Sequence, residues 1–200
     1  MDTKKMPHLT NDLEIIESCL SGNTEAFSFL VDKYKNLVYQ LALRMTGNYH
    51  DSEDIAQEAF LKAYRSLPRY NSAYSFSSWL YKITLNIIRD RLRKKEVTIP
   101  FSTPEDGQKE IENNFSPNHD ALDELAINPE EWQIRKENNR DLQLAINALP
   151  LSQREIIILR HIQNLSYHEI ARVLNIPVNS VKARLHRARK QLKELLQEKN

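Results

Sequence analysis

The stretch Ser180–Leu192, SVKARLHRARKQL, sets Val181, Leu185, Ala188 and Leu192 four, three and four residues apart. That spacing draws one apolar stripe on an α-helix, so the segment docks by a single face. Between the stripe positions lie Lys182, Arg184, Arg187, Arg189 and Lys190, and no acid. A run of like charge is often just the solvated face of a bundle helix, but the residues before it argue otherwise. Ser166 with Glu169 makes a capping box for a helix carrying Ile170, Ala171 and Leu174, and Asn175, Ile176 and Pro177 turn the chain into the basic helix. A capped helix, a short turn and a one-faced helix have the layout of a helix-turn-helix. Burying Val181, Leu185 and Ala188 against Ile170, Ala171 and Leu174 leaves Lys182, Ala183, His186 and Arg187 on the outer face, with Arg184, Arg189 and Lys190 at its sides. A major groove admits one α-helix, in which Arg and Lys can read guanine O6 and N7 while flanking cations meet phosphates. The basic face is expected to point at duplex DNA.

Working outward, Leu142, Ile146 and Leu149 end a preceding helix at Pro150, and Ser152 with Glu155 is expected to cap the next, which carries Ile156, Ile157 and Leu159. Upstream of Trp132 the texture changes. VTIPFSTPEDGQKEIENNFSPNHDALDELAINPEE holds four of the eight prolines and few periodic apolar positions, and reads as an acidic flexible linker with a weak helical piece near Asp120 to Ile127. Before it, helical periodicity returns in three segments. Ala26, Phe29, Leu30, Tyr34, Leu37, Val38, Leu41 and Met45 form a face that ends near Gly47, then Ile55, Ala59, Leu61, Ala63 and Leu67 follow the acid-rich start DSEDIAQE, and Trp79, Leu80, Ile83, Ile87 and Leu92 lead into the basic run RDRLRKK. The expected fold is all-α: two small helical domains over residues 10–96 and 130–198, joined by a linker over residues 97–129. On such a tether the domains are free to drift relative to each other.

Composition agrees with this layout and excludes several classes. The 200 residues carry a formal net charge of +1, unevenly spread: +2 to Glu96, −7 from Val97 to Asp141, and +6 beyond. Two basic-leaning ends on an acidic tether suit polyanion-binding modules. Cys19 is the single cysteine, which forbids an internal disulfide and fits a reducing compartment. MDTKKMPHLTNDLE has no apolar run to make a signal peptide, and the longest aliphatic run, Ile156 to Leu159, cannot span a bilayer, so the expected location is cytoplasmic. His8, His50, His119, His161, His168 and His186 are scattered without metal-ligand spacing, and there is no P-loop or nucleophile elbow. Neither catalysis, nor a cofactor, nor a small-molecule substrate is expected.

Three segments carry a family resemblance. LSYHEIARVLNIPVNSVKARLHRARKQL resembles the promoter-binding end of extracytoplasmic-function (ECF) sigma factors of the sigma-70 family. DSEDIAQEAFLKAYRSL is similar to that family's core-polymerase-binding segment, and FSSWLYKITLNIIRDRLRKK to its DNA-melting, promoter-reading helix. Their order matches over nearly the full length, with a sigma-W-like flavour. The resemblance implies a sigma2-like and a sigma4-like domain, core RNA polymerase as partner through its β′ clamp helices and β flap, promoter DNA, and an anti-sigma factor, often membrane-anchored.

It also implies residue roles. Asp51, Glu53, Asp54 and Glu58 crowd acid at the start of one helix, which favours its N-terminus through the dipole. That leaves Gln57 unexplained; by resemblance Asp51, Asp54, Gln57 and Glu58 face the clamp. The loop PRYNSAYSFSS would capture a base flipped from the non-template strand through Tyr70, Asn71, Tyr74 and Phe76. Lys82, Asn86, Arg89 and Arg93, spaced four, three and four, would lie on the minus-ten element, while Trp79 is expected in the core. Lys182, Ala183, His186 and Arg187 match positions that read the minus-thirty-five element, with Arg160, Arg184 and Arg189 toward phosphates; Ala183 and His186 depart from commoner family choices. The rival reading is a free-standing helix-turn-helix regulator, which leaves the acidic helix and the aromatic loop without purpose.

Overall fold

In the computed structural model, residues 11–98 and 129–197 are described, and among them every regular element is a helix. The N-terminal unit comprises α1 (Asp12–Leu20), α2 (Phe27–Thr46), α3 (Tyr49–Ser66) and α4 (Phe76–Thr98), with short 3₁₀ turns at Thr24–Ala26 and Leu67–Arg69. The C-terminal unit comprises α5 (Pro129–Ala148), α6 (Leu151–His161), α7 (Tyr167–Leu174) and α8 (Val178–Gln197). The expected helical piece near Asp120 to Ile127, and nearly all of the expected linker, lie outside the described residues.

Local chemistry sets most of the boundaries. Gly47 ends α2 at φ +70, a left-handed conformation that L side chains rarely adopt, and its N–H bonds the Leu43 carbonyl at 2.8 Å. One residue on, the Asn48 side chain accepts from the Asp51 N–H at 3.0 Å and starts α3. The capping box at α7 forms as expected: Ser166 and Glu169 each accept the other's backbone N–H, and Asn175 closes the helix at φ 54. The capping box expected of Ser152 and Glu155 does not form. α6 opens at Leu151 behind Pro150 without a side-chain cap, and Glu155 turns into the protein's interior.

α1 carries no periodic signal long enough to stand out in the sequence. Its Ile15, Ile16 and Cys19 are buried, and Asp12 ties it to α2 by accepting from Lys33 Nζ at 2.6 Å and from the Tyr34 hydroxyl at 2.5 Å. In the helix-turn-helix, Val181, Leu185 and Ala188 are fully buried with Ile170, Ala171 and Leu174, as the stripe predicts.

The drift expected of the two domains is not what the structure holds. α2 packs on α5 and α6, and α4 on α7, so a single apolar core runs through both units. The reason lies in α6. Ile156, Ile157, Ile158 and Leu159 cover most of the circumference of a helix, and all four are buried, so α6 is packed from both sides. At one end of the joint, Arg154 donates to the Met45 carbonyl (2.9 Å) and to those of Asn147 and Leu149, satisfying C-terminal carbonyls of α2 and α5 together. Gln143 donates to the Arg44 carbonyl at 3.0 Å and accepts from its guanidinium at 3.2 Å. Burial holds the Arg154 guanidinium below its ordinary pKa.

Candidate polymerase and nucleic-acid interfaces

The acids at the start of α3 divide by role. Asp51 is half-buried at the helix N-terminus, whereas Asp54 and Gln57 are exposed one turn on. Asp54, Gln57 and Glu58 share a face that also presents Leu61, which is 58% exposed. Glu58 is not free: Lys62 Nζ lies 2.8 Å and Arg91 Nη2 3.0 Å from its carboxylate, and Arg91 also approaches Asp54 at 3.7 Å. The hydrogen bond from Lys62, with help from Arg91, holds the Glu58 carboxyl below the usual range. Arg91, from the basic run of α4, was missed in the sequence because its partners lie on another helix.

The loop residues separate more sharply. Tyr74 is exposed and Asn71 forms an Asx turn, accepting the Ala73 N–H at 2.9 Å. Tyr70 is half-buried and donates its hydroxyl to the Tyr74 carbonyl. Phe76, expected among the base-contacting residues, is 1% exposed. It packs on Tyr34, Tyr70 and Trp79 with ring centroids 5.4, 5.8 and 5.6 Å away, so it supports the loop from beneath and cannot stack on a flipped base. Phe76 looked like loop in the sequence; the helix begins there, and the inward position is set by tertiary packing. Trp79, expected in the core, is half-buried: it packs against the same cluster from its edge.

Along α4, Lys82, Asn86 and Arg93 are exposed, and Arg93 pairs with Asp90 at 3.0 Å. Arg89 departs from the expectation of a DNA-facing side chain. It forks onto Glu155 of α6, Nε to Oε1 at 2.5 Å and Nη2 to Oε2 at 2.9 Å, while Nη1 reaches Asn86 at 3.1 Å. Glu155 was read as a cap and missed as a partner; its one sequence signal is an acid set against the run Ile156–Leu159.

The basic helix is arranged as its spacing implies. Lys182, Ala183, His186, Arg187 and Arg189 are exposed, and Arg184 is half-buried. Arg187 touches its own helix, Nε to the Ala183 carbonyl at 3.4 Å. Arg189 leans away from the outer face and donates to His161 Nε2 at 3.2 Å; burial and the neighbouring Arg189 and Arg160 charges keep that imidazole below its ordinary pKa. Arg160 is already employed within the unit, donating to the Leu165 carbonyl at 2.8 Å and lying 5.3 Å from the Tyr167 ring. Behind the basic face, Leu142, Ile146, Ile157, Ile162, Leu192 and Leu196 line an apolar cleft of about 500 Å³ between α5, α6 and α8. Among the described residues, no group of His, Cys, Asp or Glu could hold a metal ion, and no helix is long and apolar enough to cross a membrane.

Residues 30–98 match the sigma-70 region 2 family and residues 139–192 match sigma-70 region 4. The chain is 37% identical over 183 residues to the ECF RNA polymerase sigma factor SigW of Bacillus subtilis, covering 92% of this chain and 95% of that protein. It is 33% identical to the ECF RNA polymerase sigma-E factor of Escherichia coli over 96% of this chain and 97% of that one. Its fold is similar to that of CnrH, solved with the cytosolic domain of CnrY, at a TM-score of 0.67 and 24% identity over 94% of this chain and 99% of that one. The chain belongs to the ECF sigma factors of RNA polymerase.

Proposed function

We propose that this chain binds core RNA polymerase, brings it to promoters and helps open the duplex, acting by binding and positioning and not by catalysis. The observation that carries this reading is the combination, in one chain, of an acid-bearing α3 face with a helix-turn-helix whose buried stripe turns Lys182, Ala183, His186 and Arg187 outward. A free-standing regulator needs the second feature and has no use for the first.

The roles follow the chemistry of each face. Residues 10–96 serve as the sigma2-like domain, in which Asp54, Gln57 and Glu58 meet basic clamp helices of β′, with Asp51 supporting the start of α3. Tyr70, Asn71 and Tyr74 take a base displaced from the non-template strand, and Lys82, Asn86 and Arg93 follow the minus-ten element, with Arg89 committed to Glu155 in the free chain. Residues 130–198 serve as the sigma4-like domain. There Lys182, Ala183, His186 and Arg187 read the minus-thirty-five element, and Arg184 and Arg189 neutralise phosphates. Arg160 holds the turn before α7, with phosphate contact secondary to that. The apolar cleft between α5, α6 and α8 suits a helix of the β flap.

CnrH was solved with CnrY, and the Bartonella quintana sigma factor RpoE, whose fold is also similar (TM-score 0.63, 21% identity over 86% of this chain and 96% of that one), with the anti-sigma factor NepR. An anti-sigma partner for this chain, and a cytoplasmic location beside the polymerase, are part of the same proposal. The test is to mix the purified chain with core polymerase and genomic DNA fragments and to sequence the transcript starts. Starts that share elements spaced as minus-ten and minus-thirty-five, absent without the chain, support it; specific DNA binding without core, and no new starts with it, refute it.

A further inference from the structure

The α3 face assigned to a basic partner already has its acids paired. Asp54 and Glu58 stand four residues apart on one side of the helix, a spacing at which like charges repel. Arg91 enters that pair from α4: Nη2 lies 3.0 Å from Glu58 Oε2, and Nη1 lies 3.7 Å from Asp54 Oδ2. Lys62 holds the other Glu58 oxygen at 2.8 Å. Two carboxylates against two cations leave the patch without net charge, although its proposed partner is basic. Lys62 is the ordinary partner one turn along the same helix. Arg91 is not local: thirty-three positions separate it from Glu58. At about 3.6 residues per turn it also lies roughly 200° around α4 from Arg89, away from the face given to the minus-ten element. Neither helix propensity nor promoter contact accounts for it.

The pairing is loose enough to exchange. The side chains of Arg91, Glu58 and Asp54 are 33%, 36% and 68% exposed, so solvent and salt screen their attraction. A guanidinium grips carboxylates in the same way whether it comes from this chain or from another. A basic side chain of a docking partner must therefore displace Arg91, or share its acceptors, before it reaches Glu58. Removing Arg91 would leave two like charges adjacent and raise the negative potential that such a partner meets.

We propose that Arg91 is a built-in competitor for the polymerase clamp: as the counter-ion of Asp54 and Glu58 it sets the affinity of this chain for core below what its acids alone would give. Arg91 acts through those two acids and so is a positioning residue. The proposal rests on the assignment of α3 to the β′ clamp, and the experiment keeps the two apart. The full-length chain carries fluorescein at its N-terminus and is titrated with core polymerase, read by anisotropy at several salt concentrations. Arg91→Gln, Arg91→Lys, Asp54→Asn with Glu58→Gln, and that pair combined with Arg91→Gln are compared with the wild type. All are measured at a temperature at which circular dichroism shows each of them folded. Arg91→Gln is expected to tighten core binding about two- to fivefold at low salt, the span of a partly exposed ion pair. The gain should shrink as salt rises, and Arg91→Lys, which keeps the charge, should show none. In the chain without the two acids, Arg91→Gln should bring no gain. A fall in binding, or no change, on Arg91→Gln overturns the competition; an equal gain on Arg91→Lys does the same, because it would owe nothing to charge. A gain that persists without Asp54 and Glu58 belongs to overall charge and overturns it too. If the chain lacking both acids binds core as tightly as the wild type, the assignment of α3 itself fails. If it binds more weakly while Arg91→Gln brings no gain, that assignment stands and the competitor alone is refuted.

Discussion

Replacing Arg187 with alanine separates a base reader from a phosphate neutraliser more cleanly than any other change on α8. Arg187 is exposed and its one described contact is to the Ala183 carbonyl of its own helix, so the substitution leaves fold stability within about 0.5 kcal/mol. Any larger effect at a promoter is then a loss of DNA contact. If the guanidinium reaches a guanine edge, its loss costs about 1–3 kcal/mol on the best promoter, or about 5- to 140-fold in affinity. The cost should shrink on a promoter altered at the base pair it reads. Arg189 gives the contrast. It leans toward His161 at the side of the helix, so Arg189→Ala should weaken all promoters alike and make the salt dependence shallower by about one unit. Both variants are assayed as holoenzymes on a panel of minus-thirty-five mutants at several salt concentrations. Identical behaviour of the two would refute the rotation of α8 that places Arg187 in the groove.

Reversing Asp54 and Glu58 to lysine should abolish binding to core polymerase, read by gel filtration of the mixture, while circular dichroism stays helical; a double variant that still joins core would leave these acids as helix stabilisers only. Glu58 also predicts a pH dependence. Its carboxyl is held low by Lys62 and Arg91, so its stabilising contribution is present above the ordinary carboxylate pKa and is lost as pH falls through the lowered one. Melting temperatures of the wild type and Glu58→Gln should therefore converge on acidification and diverge toward neutrality. Gly47→Ala should cost about 1–2 kcal/mol from the left-handed backbone, and its added Cβ, 2.8 Å from Asn147 Nδ2, would make that side-chain amide shift, so thermal unfolding should show a lower midpoint.

Local signals in the chain were sufficient for much of this architecture. The stripe Val181–Leu185–Ala188, the Ser166–Glu169 box and the Asn175 turn prescribe the helix-turn-helix, because helix periodicity and capping act over a few residues and need no distant partner. The same holds for the stop at Gly47 and for the exposed acids of α3. Tertiary structure alone decided the rest. Ser152 and Glu155 have capping-box spacing, yet Glu155 is drawn inward because a desolvated carboxylate is better satisfied by the Arg89 fork than by a backbone N–H at a solvated helix start. Phe76 reads as part of a polar loop until the ring of Tyr34, forty-two positions earlier, is found against it. Arg91 looks like one more cation in RDRLRKK until α3 brings Glu58 beside it. In each case the deciding partner is remote in sequence, and side-chain chemistry names what a residue can bind without saying which neighbour the packing will deliver.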